Sequence, residues 1–292
     1  MDENKIKAMI SLLDDPDQEV SGMIKGELIS LGNGIVPFLE DAWSHAFDPL
    51  LQKRIELIVH KIQFENLKQE LIKWKEAGGQ DLLTGAIIVA RYQYPDLDEN
   101  KVRETLNKIK KEIWIENNET MRPAQQVYVI NKVLFENYGF SGNTTNFHAP
   151  QNSFINIVLE SKRGNPLLLS IIYAHLASQL DIPIFGVNLP EHFVLAYQDI
   201  RGNLLEEYTY SEAGILFYIN PFSRGTIFMK SDIDLFLKKL NLQQLPIFYE
   251  PCTNIDMILR LLRNLTMSYT KSGQPENLAE IEDLISCLED ED

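Results

Sequence analysis

The chain predicts an α+β fold, with one buried helix packed on an antiparallel sheet and helical segments on either side in sequence. Three observations lead there. Apolar residues recur at helical spacing over most of the first 160 positions, the stretch from Pro166 to Leu180 is apolar almost all round, and short apolar runs cut by turns follow it. A helix that is apolar on every side must be covered on every side, and short runs between turn residues are strand signals.

The first stripe is Ile6, Met9, Ile10, Leu12 and Leu13; Asp14-Asp15-Pro16-Asp17 then breaks the chain and offers an N-cap. Val20, Met23, Ile24, Leu28 and Leu31 continue until Gly32-Asn33-Gly34 stops them. Val36-Pro37-Phe38-Leu39 and Trp43 come next, then Asp48-Pro49 and the stripe Ile55, Ile58, Val59 and Ile62. From Asp81, the face Leu82, Leu83, Ala86, Ile87 and Ala90 runs into Tyr94-Pro95, and Asp98 can cap the stripe Val102, Leu106, Ile109 and Ile113. After Pro123, Val127, Ile130, Val133 and Leu134 form another helix ending at Tyr138-Gly139. Asn152-Ser153 offers a cap for a helix from Phe154 to Glu160.

Asn165 then caps the central helix, with proline at its first position, where the missing N–H costs nothing. Asp181-Ile182-Pro183 ends that helix. Ile184 to Val187, Phe193 to Tyr197, Leu204 to Tyr210 and Leu216 to Ile219 read as strands of one antiparallel sheet. Two amphipathic helices, Asp256 to Tyr269 and Leu278 to Leu288, close the chain around Ser272-Gly273-Gln274-Pro275.

Composition narrows the function classes. A net charge of −15 over 292 residues argues against nucleic acid or an anionic membrane, which want a basic face. Cys252 and Cys287 stand in no metal spacing, so neither a disulfide framework nor a zinc site is expected, and no cofactor is implied. No apolar segment reaches the roughly 18 to 20 residues of a membrane span, and the acidic start Met1-Asp2-Glu3 lacks a signal-peptide core. A cytoplasmic protein is the expectation.

The order from Lys162 to Pro221 carries the chemistry. A helix start at Asn165-Pro166, His192 at the head of a strand and Asn220 at the end of another resemble the core of the transglutaminase-like superfamily. There a Cys at the helix start, a His and an orienting Asp act together. The helix terminus and the imidazole lower the thiol's pKa, and the third group fixes the imidazole tautomer. Pro166 occupies the Cys position and brings neither a nucleophile nor a backbone N–H for an oxyanion. Asn220 stands where Asp is usual, which keeps a hydrogen bond but weakens support for an imidazolium.

The resemblance narrows further. Ala90 to Asp98, Asn131 to Asn143, Gln151 to Pro166 and Gly186 to Phe193, in that order, are similar to the SirB-type branch of the superfamily, over roughly residues 80 to 270. In that branch Gly-x-Pro commonly replaces Gly-x-Cys. The resemblance implies a papain-like core at 79–248. The turn Leu12 to Asp17 and the run Gly34 to Leu39 are similar to HEAT-type units, assigning 1–78. The last hairpin resembles a tetratricopeptide pair, assigning 249–292.

Each candidate has two readings. His192 either lines a functional pocket or is a buried structural histidine. Asn220 either orients it or caps a strand end. Ser170, one turn beyond Pro166, either replaces the thiol or bonds back to the Pro166 carbonyl. Glu191 is either an acid/base carboxylate or a solvated loop charge. Asn165 and Pro166 complete the expected pocket. His148 with His192 is too small a set for a metal. Cys252 stands outside the family order. Three function classes follow: a non-catalytic module binding a protein or ligand through the cleft or the helical appendages, a hydrolase or acyltransferase using His192 with Ser170 or substrate assistance, and a helical scaffold with a vestigial cleft. The first is favoured, because Pro166 removes the nucleophile while its surroundings are kept.

Overall fold

A computed structural model describes residues 3–15, 17–118, 120–199 and 214–289. The chain divides into two compact units, Met1–Lys73 and Trp74–Asp292. The first is built from α1 (Glu3–Ser11), α2 (Gln18–Ser30), α3 (Val36–His45) and most of α4 (Pro49–Glu76). Asp17 caps α2 by accepting from the Glu19 N–H at 2.8 Å. Ile6, Met9, Leu13, Leu28, Ile35, Leu39, Ile55, Ile58 and Ile62 close a core in this unit, drawn from the stripes expected of the sequence.

The second unit holds the sheet and the central helix. α5 (Leu82–Gln93) is capped by Asp81, and α6 (Glu99–Glu116) by Asp98, whose carboxylate accepts from the Asn100 and Lys101 N–H groups at 3.0 and 3.2 Å. α7 (Pro123–Asn131) runs on into a π-helical turn at Lys132–Asn137. A two-residue parallel pair, β1 (Ser141–Gly142) with β2 (Arg163–Gly164), fixes the chain on both sides of α8 (Ile155–Ser161). α9 (Pro166–Ser178) follows, with every residue from Pro166 to Ala177 except His175 buried, as its composition demands.

α9 packs against β3 (Ile184–Val187), β4 (Val194–Gln198), α5 and the turn after β5 (Ile215–Asn220). The sheet order is β3-β4-β5-β6, all antiparallel, with β6 at Thr226–Phe228. The register pairs Val187 with Val194, Leu195 with Ile219 and Asn220 with Thr226. The expected strand Leu204 to Tyr210 lies outside the described residues. α10 (Lys230–Lys239), which the apolar pattern did not announce, covers the other sheet face: Ile233 and Leu237 meet Val194, Ala196 and Tyr218. α11 (Asn254–Ser272) and α12 (Pro275–Leu288) form the final hairpin, and α11 lies on α5 and α9. Among the described residues no helix is long and apolar enough to cross a membrane.

Two local expectations are corrected. The central helix ends at Ser178, where the Ile182 N–H turns back to the Ala177 carbonyl. Asn152 and Ser153 do not cap α8, which starts after Phe154 without a side-chain cap. Their polar groups are drawn instead to the neighbouring loop and to Asn165, where buried donors and acceptors would otherwise lack partners.

Candidate functional site

The start of α9 is tied down by its own chemistry. Asn165 Oδ1 accepts from the Leu168 N–H at 2.8 Å, and its Nδ2 donates to Ser153 Oγ at 2.9 Å. Both ends of this buried amide are therefore bonded, and Pro166 has no N–H to satisfy. Asn152 secures the preceding loop by donating to the Asn146 and Phe147 carbonyls at 2.7 and 3.1 Å, while Asn143 donates to its Oδ1. Phe147 then meets the Phe222 ring edge-on at 5.8 Å.

These elements wall a cleft of about 400 Å³. Asn165, Pro166, Glu191 and His192 all line it, so four of the six expected site residues share one space. His192 is exposed rather than buried, and its ring rests against Phe236 of α10, centroids 5.2 Å apart. Glu191 is exposed too, and its own φ of +59° lies in the left-handed region that β-carbon-bearing residues rarely adopt.

The other two are elsewhere engaged. Asn220 accepts from the Ser223 N–H at 3.3 Å and so caps the turn at Pro221–Ser223; among the described residues it makes no bond to His192. Ser170 is fully buried and donates to the Pro166 carbonyl at 2.8 Å, outside the set that lines the cleft. A hydroxyl held one turn inside a helix replaces no thiol at the helix start. Cys252 lines a different cavity, with His175, and burial pushes its thiol up to about 12, far from the range of a reactive thiolate. Burial likewise pushes the His175 imidazole down to about 4. His148 does line the cleft, its Nε2 2.8 Å from Lys271 Nζ. Among the described residues no group of three or more His, Cys, Asp or Glu is placed to hold a metal.

The opposite contribution comes from α11, which site reasoning from the sequence missed. Its apolar stripe, Met257, Ile258, Leu261, Leu262, Leu265 and Tyr269, is buried. The helix period then leaves Arg260, Asn264, Met267 and Ser268 along one adjacent strip, and all four line the cleft. Arg260 is half-buried and, among the described residues, makes neither a hydrogen bond nor an ion pair; the neighbouring Arg263 instead bonds Glu289 at 2.8 Å. Burial, together with that like charge, holds the Arg260 guanidinium below its ordinary value. Two arginines, Arg260 and Arg263, one turn apart on an amphipathic helix were the available signal.

A helix start, a histidine before a strand and a polar strand end, arranged on a helix-backed antiparallel sheet, define the transglutaminase-like class of fold. A family model described as transglutaminase-like superfamily matches residues 100–263, more than half of the chain, and the chain belongs to that superfamily. It is 34% identical over 114 residues to a UPF0162 protein of Xylella fastidiosa strain Temecula1, covering 39% of this chain and 41% of that one. It is 31% identical over 103 residues to human F-box only protein 21, covering 35% of this chain and 15% of that one. A UPF0162 protein of Vibrio cholerae is 29% identical over 65 residues, covering 22% of this chain and 24% of its own. The chain thus spans about two fifths of the Xylella protein and less of the others. No solved structure matches.

Proposed function

We propose that this chain is a non-catalytic member of the superfamily, of the SirB-type branch, that binds a protein or peptide ligand in the cleft at the start of α9. The observation that carries the reading is Pro166: it lines the cleft at the first position of α9, where a nucleophile would stand, and offers neither a reactive atom nor an N–H. The positions of Ser170 and Cys252 support it, because neither hydroxyl nor thiol reaches the cleft lining. His192, resting on Phe236 with no carboxylate or amide behind it among the described residues, lacks the third group that would orient a general base. The tetratricopeptide-like hairpin at 249–292 supplies Arg260, Asn264, Met267 and Ser268 to the lining, and the helices at 1–78 are read as a HEAT-like region, in a cytoplasmic setting.

The test is a screen of ester, thioester, amide and peptide hydrolysis and of acyl transfer to amines, run on the native chain and on His192→Ala. The expected result is no turnover that differs between the two. Turnover present in the native chain and absent from His192→Ala would return the site to catalysis.

A further inference from the structure

The cleft contains a cation in search of a partner. Arg260 presents a planar fork of donors to it, and no acid among the described residues answers that fork. Among the described residues the only carboxylate lining the cleft is Glu191, and the two make no ion pair. The chain carries a net charge of −15, yet among the described residues this arginine of a concave site has a second arginine, Arg263, as its charged neighbour and no acid as its partner. One turn further along α11, the Asn264 side chain is half-buried and also unbonded among the described residues, so a donor and an acceptor stand beside the guanidinium. Pro166, Leu167, Phe193 and Met267 supply apolar walls to the same cleft, beside the polar Asn165, His192 and Ser268.

Resting on the reading of the cleft as a binding site, we propose that it takes the terminal carboxylate of a peptide whose last side chain is apolar, with Arg260 receiving the carboxylate. A guanidinium and a carboxylate match in bidentate geometry, and such charge-assisted pairs are the strong ones. Asn264 can bond both N–H and C=O of the peptide backbone next to the carboxylate. The apolar walls receive the last side chain, and about 400 Å³ is the low end of the size range of ligand sites, room for a chain end rather than a long segment. A carboxylate fits better than a phosphate for two reasons. Lys271 already lies 2.8 Å from His148 Nε2 and Arg263 is paired with Glu289, which leaves Arg260 alone to meet the anion, and Glu191 on the lining repels a dianion more strongly than a monoanion.

The experiment uses the full chain and labelled alanine-rich tetrapeptides ending in Leu or Phe, each as free acid and as amide. Binding is followed by fluorescence anisotropy and located by the methyl resonances of Met267 and Leu167. Inorganic phosphate and isovalerate serve as competitors. The expected result is saturable binding of the acids that shifts both methyls and weakens about ten- to a hundredfold in the amides and in Arg260→Gln, with Arg260→Lys between. The thermal midpoint of Arg260→Gln should match the native chain, since Arg260 makes no bond among the described residues. Equal binding of acids and amides in the cleft overturns the carboxylate assignment and leaves the binding-module reading standing. Phosphate or isovalerate competing as well as the peptide acids overturns the peptide assignment. If none of the probes moves the cleft methyls at about 1 mM, both readings fall.

Discussion

The two helices that meet at the cleft treat their polar groups in opposite ways. At the start of α9, both ends of the Asn165 amide are bonded, the Ser170 hydroxyl is bonded back into the helix, and Pro166 has no donor to satisfy. Along α11, Arg260 and Asn264 face the same space with no partner among the described residues. Bonded groups hold a shape, whereas unbonded ones in a concave site carry a desolvation cost that a ligand can relieve. The contrast teaches that the unbonded polar side chains of this cleft lie on α11, outside the order Pro166, His192, Asn220, while the start of α9 is its bonded frame.

Breaking the frame should give the largest effect. Asn165→Ala removes the cap of α9 and strands the Ser153 hydroxyl, and should cost about 2–3 kcal/mol in a denaturant titration. Asn165→Asp keeps the cap oxygen and should lose less. If both variants are as stable as the native chain, the start of α9 is not the fixed wall described here.

The unbonded wall should respond in the other direction. Arg260→Met removes a half-buried charge without a partner among the described residues and should leave stability unchanged or raise it by up to about 1 kcal/mol. A clear loss of stability would mean that Arg260 has a structural partner and is not held open for a ligand.

Pro166→Cys restores a thiol at the α9 terminus. Its alkylation rate should follow a titration midpoint below the ordinary thiol value of about 8.5, because the helix terminus favours the thiolate. The rate should therefore be high above that midpoint and fall as pH drops through it. A midpoint at or above the ordinary value would show that residue 166 is not placed where the helix can activate a nucleophile. The smallest effect belongs to the rim: Glu191→Gly relieves a left-handed backbone at φ +59° and should stabilise by about 0.5–1 kcal/mol, or leave stability unchanged where the added chain entropy offsets the gain.

Much of the frame was legible in the sequence, and the reason is periodicity. β3 was expected at Ile184 to Val187 and runs there, and the buried α9 follows from a helix with almost no polar face. Pro166, Asn165, Glu191 and His192 were placed together by their order along a known fold. What escaped was set by tertiary contact. β6 has three residues, too few for alternation to declare itself, and in α10 the apolar Ile233, Phe236 and Leu237 are interleaved with Lys and Asp. Asn220 looked like an orienting group but is taken by the turn directly after it, a local bond that outcompetes a distant one. Arg260 stands 94 positions after Pro166, and no spacing rule connects them; the packing of the α11 stripe on α5 and α9 does.

The most direct measurement compares the two walls with one ligand: the affinity of the Leu-ending tetrapeptide acid for the native chain, Pro166→Ala and Arg260→Gln. Pro166→Ala should stay within about threefold of the native chain while Arg260→Gln loses about tenfold or more. Unchanged binding in Arg260→Gln, with the loss falling on Pro166→Ala instead, would contradict it.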